Sequence, residues 1–132
     1  MGSTGIANKR GLILSEGSAK AGIVMVIGEN VVNMRGYDKR ITDQPCLKER
    51  ILKYFEHLDG DYGGVVIQQN VEDANYELWN KLYSDKDLDE YIEQELIGFE
   101  IKAGQGAKPG LGGEVKVKKR SSIKAQRQVL LP

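Results

Sequence analysis

The chain has 132 residues and carries 19 Lys plus Arg against 19 Asp plus Glu, for a formal net charge of zero. That is one domain's length by the usual figure of roughly 100–200 residues per domain, enough to bury roughly two-thirds of the unfolded surface. Zero net charge excludes a nucleic-acid binder working by bulk charge. The single cysteine, Cys46, excludes an internal disulfide and any iron–sulfur or zinc site built from cysteines alone. No stretch approaches 18 consecutive apolar residues and no charged-then-apolar leader opens the chain, so the composition reads as a soluble, cytoplasmic protein with no membrane and no nucleic-acid partner.

In chain order, Ile6 to Ala21 reads as a helix, weakened by Gly11 and Gly17. Gly22-Ile-Val-Met-Val-Ile-Gly28 is a continuous apolar run between glycines, the pattern of a strand buried on both faces. A polar loop follows from Glu29 to Gln44. Leu47, Ile51, Tyr54, Phe55 and Leu58 then recur at three and four residues, one apolar stripe of a helix with Asp43 as its N-cap and Pro45 in its first turn.

Val65 to Gln69 is a second buried strand, and Asn70 caps a third helix with Asp73 three residues on as in a capping box. Val71, Ala74, Leu78 and Leu82 form that helix's inner face. An acidic helix or turn covers Asp85 to Leu96, a third strand Gly98 to Lys102, and Val115 to Val117 suits a short strand. From Val115 to Pro132 there are six basic residues and no acid; residues 118–132 read as a flexible, solvated tail. Alternating helices and strands specify a parallel sheet with right-handed crossovers, whose ligand site lies beyond the carboxyl ends of the strands.

Those ends are where the unusual residues fall. Sixteen glycines, about one residue in eight against a usual 7% or so, include five between Gly104 and Gly113. The run Gly104-Gln-Gly-Ala-Lys-Pro-Gly-Leu-Gly-Gly113 lets the backbone approach a ligand and donate N–H groups, with Lys108 adding a charge. It fits neither a dinucleotide fingerprint, because Pro109 and further glycines follow, nor a P-loop, because Pro109 stands where Ser or Thr is needed. Gln68 and Gln69 end the second strand, and either carboxamide suits the edge of a heterocycle or a backbone partner at the strand end.

Other candidates weigh less. Asp85, Asp87 and Asp89 imitate a calcium loop, but Glu90 replaces its glycine and Leu96 its last ligand, so they read as a solvated acidic stretch and no metal site is expected. His57, the one histidine, reads as a surface residue at a helix end, Cys46 as structural, and Trp79 as helix packing.

The stretch Phe99-Glu-Ile-Lys-Ala-Gly-Gln-Gly-Ala-Lys-Pro-Gly-Leu-Gly-Gly113 resembles the segment of the glutamate synthase FMN-binding domain that holds Gln-Gly-Ala-Lys-Pro-Gly-x-Gly-Gly. Gly63 to Ala74 looks like the matching strand and helix of the shorter, archaeal-type members, and Ala19-Lys-Ala-Gly22 like the end of the barrel's first helix. Gly28-Glu29 looks like the family's Gly-Glu-Gly-Gly turn, with Asn30 and Val31 in place of its glycines.

The resemblance spans about residues 5 to 115. It implies an α/β fold of parallel βα units, a partial (β/α)8 TIM-barrel fragment, with FMN as cofactor. The implied reaction makes glutamate from 2-oxoglutarate and ammonia, the flavin delivering a hydride to 2-iminoglutarate. By position, Lys108 is the implied catalytic residue beside the flavin, and Gln69, Lys108, Gly104, Gln105 and Gly106 are implied cofactor contacts. Glu29, Gly110, Gly112 and Gly113 are implied in the substrate loop.

A whole barrel needs roughly 250 residues, so residues 1–117 read as a partial barrel. The expected partners are the remaining barrel as a separate chain or a second copy in a homo-oligomer. The chain is expected to be inactive alone, and the family's iron–sulfur cysteines are absent from it. The other class that fits is non-enzymatic: a small α/β module keeping the glycine-rich loop and binding an anion or a partner chain.

Overall fold

The computed structural model describes residues 2–104. Two short helices, α1 (Gly5–Lys9) and α2 (Gly11–Lys20), precede β1 (Met25–Ile27), then α3 (Val31–Arg35) and α4 (Leu47–Glu56) lead to β2 (Val65–Gln69). Helices α5 (Val71–Ala74), α6 (Leu78–Tyr83) and α7 (Asp89–Glu93) connect to β3 (Ile97–Ile101).

The three strands form one parallel sheet in the order β1-β2-β3. Met25 lies opposite Val65 and Val65 opposite Ile97, so one face presents Met25, Ile27, Val65, Ile67, Ile97 and Phe99 in rows. That face joins Leu47, Ile51, Tyr54 and Phe55 of α4 and Leu78, Leu82 and Leu88 in the core. The architecture is mixed α/β with helices packed on the apolar side of a small parallel sheet.

Several local readings change. The helix expected over Ile6–Ala21 is two helices meeting at Arg10, whose φ of −106° leaves helical geometry. The first strand is three residues long and not buried on both faces: Met25 and Ile27 are buried, whereas Val24 and Val26 are exposed. The loop from Glu29 to Gln44 contains α3, whose only buried residues are Val31 and Val32. Cys46, not Asp43, caps α4, where its backbone N–H donates to Glu49 Oε2 at 2.9 Å.

The third helix is broken at Glu77, which adopts the left-handed conformation (φ 53°). Val71 and Ala74 therefore lie on the exposed side while Leu78 and Leu82 stay inside. The third strand begins at Ile97 and ends at Ile101, one residue earlier at each end than its sequence pattern suggests. Asp85 is not a solvated acid. Its carboxylate accepts from Tyr37 Oη and Lys48 Nζ, each at 2.8 Å, fastening the turn before α7 to the start of α4.

Among the described residues no helix is long and apolar enough to cross a membrane.

Candidate functional site

The carboxyl ends of the three parallel strands bring Glu29, Asn30, Gln68, Gln69, Asn70 and Lys102 to one edge of the sheet. Position in the register decides what each side chain faces. Gln69 continues the row of Val65 and Ile67 and lies opposite Ile101; Gln68 continues the row of Val66 and lies opposite Glu100. Of the two carboxamides, only Gln68 shares the sheet face that the core leaves open, the face of Val26, Val66 and Gly98. Neither carboxamide has a hydrogen-bond partner among the described residues, and each carries both a donor and an acceptor.

Two links hold this edge together. The first is the ion pair between Lys102 Nζ and Glu29 Oε1 at 3.0 Å, joining the ends of the outer strands. Lys102 is itself registered on the middle strand, because its N–H donates to the Gln69 carbonyl at 2.9 Å. The second link is a buried carboxylate. Asp73 is 1% exposed, and its Oδ2 accepts the Asn30 N–H at 2.8 Å from the turn after β1. The Asn70 side chain accepts from the Asp73 N–H at 2.9 Å and donates to Asn30 Oδ1 at 3.1 Å.

Asn30 takes the left-handed conformation (φ 66°), which glycine adopts freely and asparagine tolerates. The turn thus keeps a glycine-like backbone without a glycine. Burial pushes the Asp73 carboxyl above its usual pKa, outweighing the hydrogen bonds from Asn30 and Asn70; the nearby Glu29 charge pushes the same way. Its Oδ1 is buried without a partner.

The structure therefore brings Glu29 and Gln69 together at one strand edge, with Gly104 two residues beyond Lys102, where a Cβ would meet nothing among the described residues within 4 Å. Gln105, Gly106, Lys108, Gly110, Gly112 and Gly113 lie outside the described residues. Sequence reading missed the ionic link through Lys102 and the cross-link through Asp73. For Asp73 the signal was half present, since the capping box with Asn70 is real; its reach to Asn30, 43 residues away, is a tertiary fact.

His57 closes α4, as expected of a helix-end residue, and Cys46 is fully buried with its thiol pKa pushed up by that burial, which suits a structural role. Trp79 packs edge-on against Phe99 at 5.8 Å between ring centroids. Among the described residues no group of three or more His, Cys, Asp or Glu side chains is arranged to hold a metal ion.

Chemically, the edge offers two carboxamides with no partner among the described residues, one partly exposed ion pair and strand-end backbone. No family model matches the chain, and no curated protein or solved structure matches it.

Proposed function

We propose that this chain is a piece of a glutamate synthase flavin domain, contributing part of an FMN site used for the reductive amination of 2-oxoglutarate to glutamate. The observation that carries the reading is the run Gln105-Gly-Ala-Lys-Pro-Gly-Leu-Gly-Gly113, which follows in the sequence on a strand, β3, that ends at the same sheet edge as Glu29, Gln68 and Gln69. Sequential parallel strands with helices on one side are also what consecutive units of a (β/α)8 barrel require.

The residues present fit a flavin in one testable respect. A carboxamide with both groups unpartnered can meet the alternating donors and acceptors of the ring's edge. Gln68 is better placed than Gln69 to do this, because it shares the open face of the sheet. FMN when bound supplies hydride transfer. Lys108 would offer positive charge to the ring, and the ion pair of Lys102 with Glu29 would hold the strand ends in register beneath it.

Three strands close no barrel, so the reading also calls for a complementing chain or a second copy against the open face of Val26, Val66 and Gly98.

The test is FMN titration followed by flavin fluorescence, on the wild type and on Lys108→Ala, Gln68→Ala and Gln69→Ala. Saturable quenching that Lys108→Ala and one glutamine variant abolish supports the reading and identifies the carboxamide. No quenching by the folded chain, both as a monomer and at concentrations where a second copy associates with it, overturns it and leaves the small α/β binding module.

A further inference from the structure

The helix layer carries a groove that has no role in that reading. It runs over α4 between α2 and α7, holds about 490 Å³, and is lined by Leu12, Glu49, Leu52, Lys53, Glu56 and Tyr91. Its apolar members, Leu12, Leu52 and Tyr91, are half-buried. Tyr91 is fixed by stacking on Phe55, with 4.0 Å between ring centroids and 4° between the planes.

The two sides of the groove differ in charge. On α4 the acids are answered, Glu49 by Arg40 and Glu56 by Lys53 at 3.0 Å. On and just after α7 they are not. Asp89, Glu90, Glu93 and Glu95 are exposed, and none of them pairs with a cation among the described residues. Glu90 meets only the Gln94 carboxamide, at 3.1 Å.

The balancing positive charge lies elsewhere in the chain. Residues 1–104 hold 12 Lys plus Arg against 18 Asp plus Glu, whereas residues 105–132, outside the described residues, hold seven against the single acid Glu114. The formal zero of the whole chain is therefore an acidic part matched by a basic one. Six of the seven basic residues fall between Lys116 and Arg127, and the apolar triplet Val129-Leu-Leu131 comes two residues later. A basic run that ends in apolar residues complements an apolar floor beside an acidic wall. Reach is no obstacle. Val129 stands 25 residues after Gly104, about 80 Å of extended chain, against a radius of gyration of about 13 Å for a body of 100 residues.

We propose that residues 116–131 of this chain dock on its own helix layer, with Val129, Leu130 and Leu131 in the groove of Leu12, Leu52 and Tyr91 and with Lys124 and Arg127 facing the acids of α7. Burial of the triplet supplies the attraction, and the screened charges set the place. Docking within one chain is intramolecular, which favours this segment over the same segment of a second copy at ordinary concentrations. The inference is independent of the flavin reading, because no groove residue belongs to the strand-end edge and the segment begins after Gly113.

A nitroxide placed at Gln128→Cys in the full chain tests it by nuclear magnetic resonance. Cys46 has no exposure and stays unlabelled, with wild type treated in the same way as the control. The amide signals of Leu12, Leu52 and Tyr91 are expected to lose most of their intensity and to regain it when the nitroxide is reduced. High salt and the double variant Glu90→Lys, Glu93→Lys are each expected to weaken the effect. If that variant does not fold, salt alone decides. Signals left at full intensity, broadening gathered instead on the open sheet face at Val66 and Gly98, or broadening indifferent to charge overturns the proposal. So does broadening of isotope-labelled wild type by added nitroxide-bearing chain, which would put a second copy's segment in the groove.

Discussion

Glu29 Oε1 and Lys102 Nζ stand 3.0 Å apart although 73 residues separate them in the chain. One residue follows the first strand and the other the third, so the pair spans the end of β2 and fixes the spacing of the strands it flanks. Both side chains keep some solvent, 28% for Lys102 and 16% for Glu29, which places the pair between a surface bridge and a buried one. Lys102→Met is expected to cost about 0.5–1 kcal/mol in urea unfolding, with the difference shrinking at high salt. An unchanged midpoint would show that the backbone bond from Lys102 to Gln69 alone sets the register.

The buried Asp73 makes a prediction about pH. Its folded pKa is raised above the ordinary 3.8, chiefly by burial. The neutral form is therefore favoured on folding, and the associated stability is present below pH 3.8 and lost as pH rises through the folded value. Asp73→Asn cannot ionise. Its stability relative to wild type should climb as the pH is raised from about 3.8 toward neutrality, followed by urea unfolding at each pH. A flat difference would mean that the bonds from Asn30 and Asn70 fully offset desolvation.

Tyr54 serves the start of two strands at once. Its hydroxyl donates to the Ile23 carbonyl at 2.7 Å and accepts from the Gly64 N–H at 2.8 Å. Gly63 leaves room for it, since at that positive φ a Cβ would stand 2.5 Å from the oxygen. Tyr54→Phe keeps the ring in the core and leaves the buried Gly64 donor unsatisfied, so a loss of about 1–3 kcal/mol is expected in chemical denaturation. Hydrogen exchange at Gly64 should quicken in the same variant.

How much of this was legible in the sequence follows from the range of each interaction. The stripe of Leu47, Ile51, Tyr54 and Phe55 and the run of Val65 to Ile67 announce α4 and β2, because periodicity reports directly on which face is buried. Helix α3 carries too few apolar residues to register as a period. The break at Glu77 is hidden because glutamate is a good helix former and nothing local marks a left-handed residue. Arg50 lies on the buried side of α4 with Leu47 and Tyr54, yet spacing cannot say whether an arginine there is paired. At the strand-end edge, Glu29 and the two glutamines were found through their positions after apolar runs, whereas Lys102 and Asp73 act through partners 73 and 43 residues away.

The opposite sign of pH dependence belongs to Glu49. The Arg40 guanidinium, with help from the Cys46 N–H, holds its carboxyl down at about 2 against an ordinary 4.5. A depressed folded pKa means stability that is present above pH 4.5 and lost as pH falls toward about 2. Solvent screens the pair, because 36% of the Glu49 side chain and 45% of Arg40 remain exposed. Its worth is therefore nearer the surface-bridge range of about 0–1 kcal/mol than the shift alone suggests. Glu49→Gln keeps an acceptor for the Cys46 N–H and removes both the titration and the charge that pairs with Arg40. Acid unfolding of this variant should fall less steeply than wild type between pH 4.5 and about 2, and added salt should bring the two curves together. Curves that coincide at low salt would mean that Arg40 and Glu49 gain nothing from each other beyond the cap on α4.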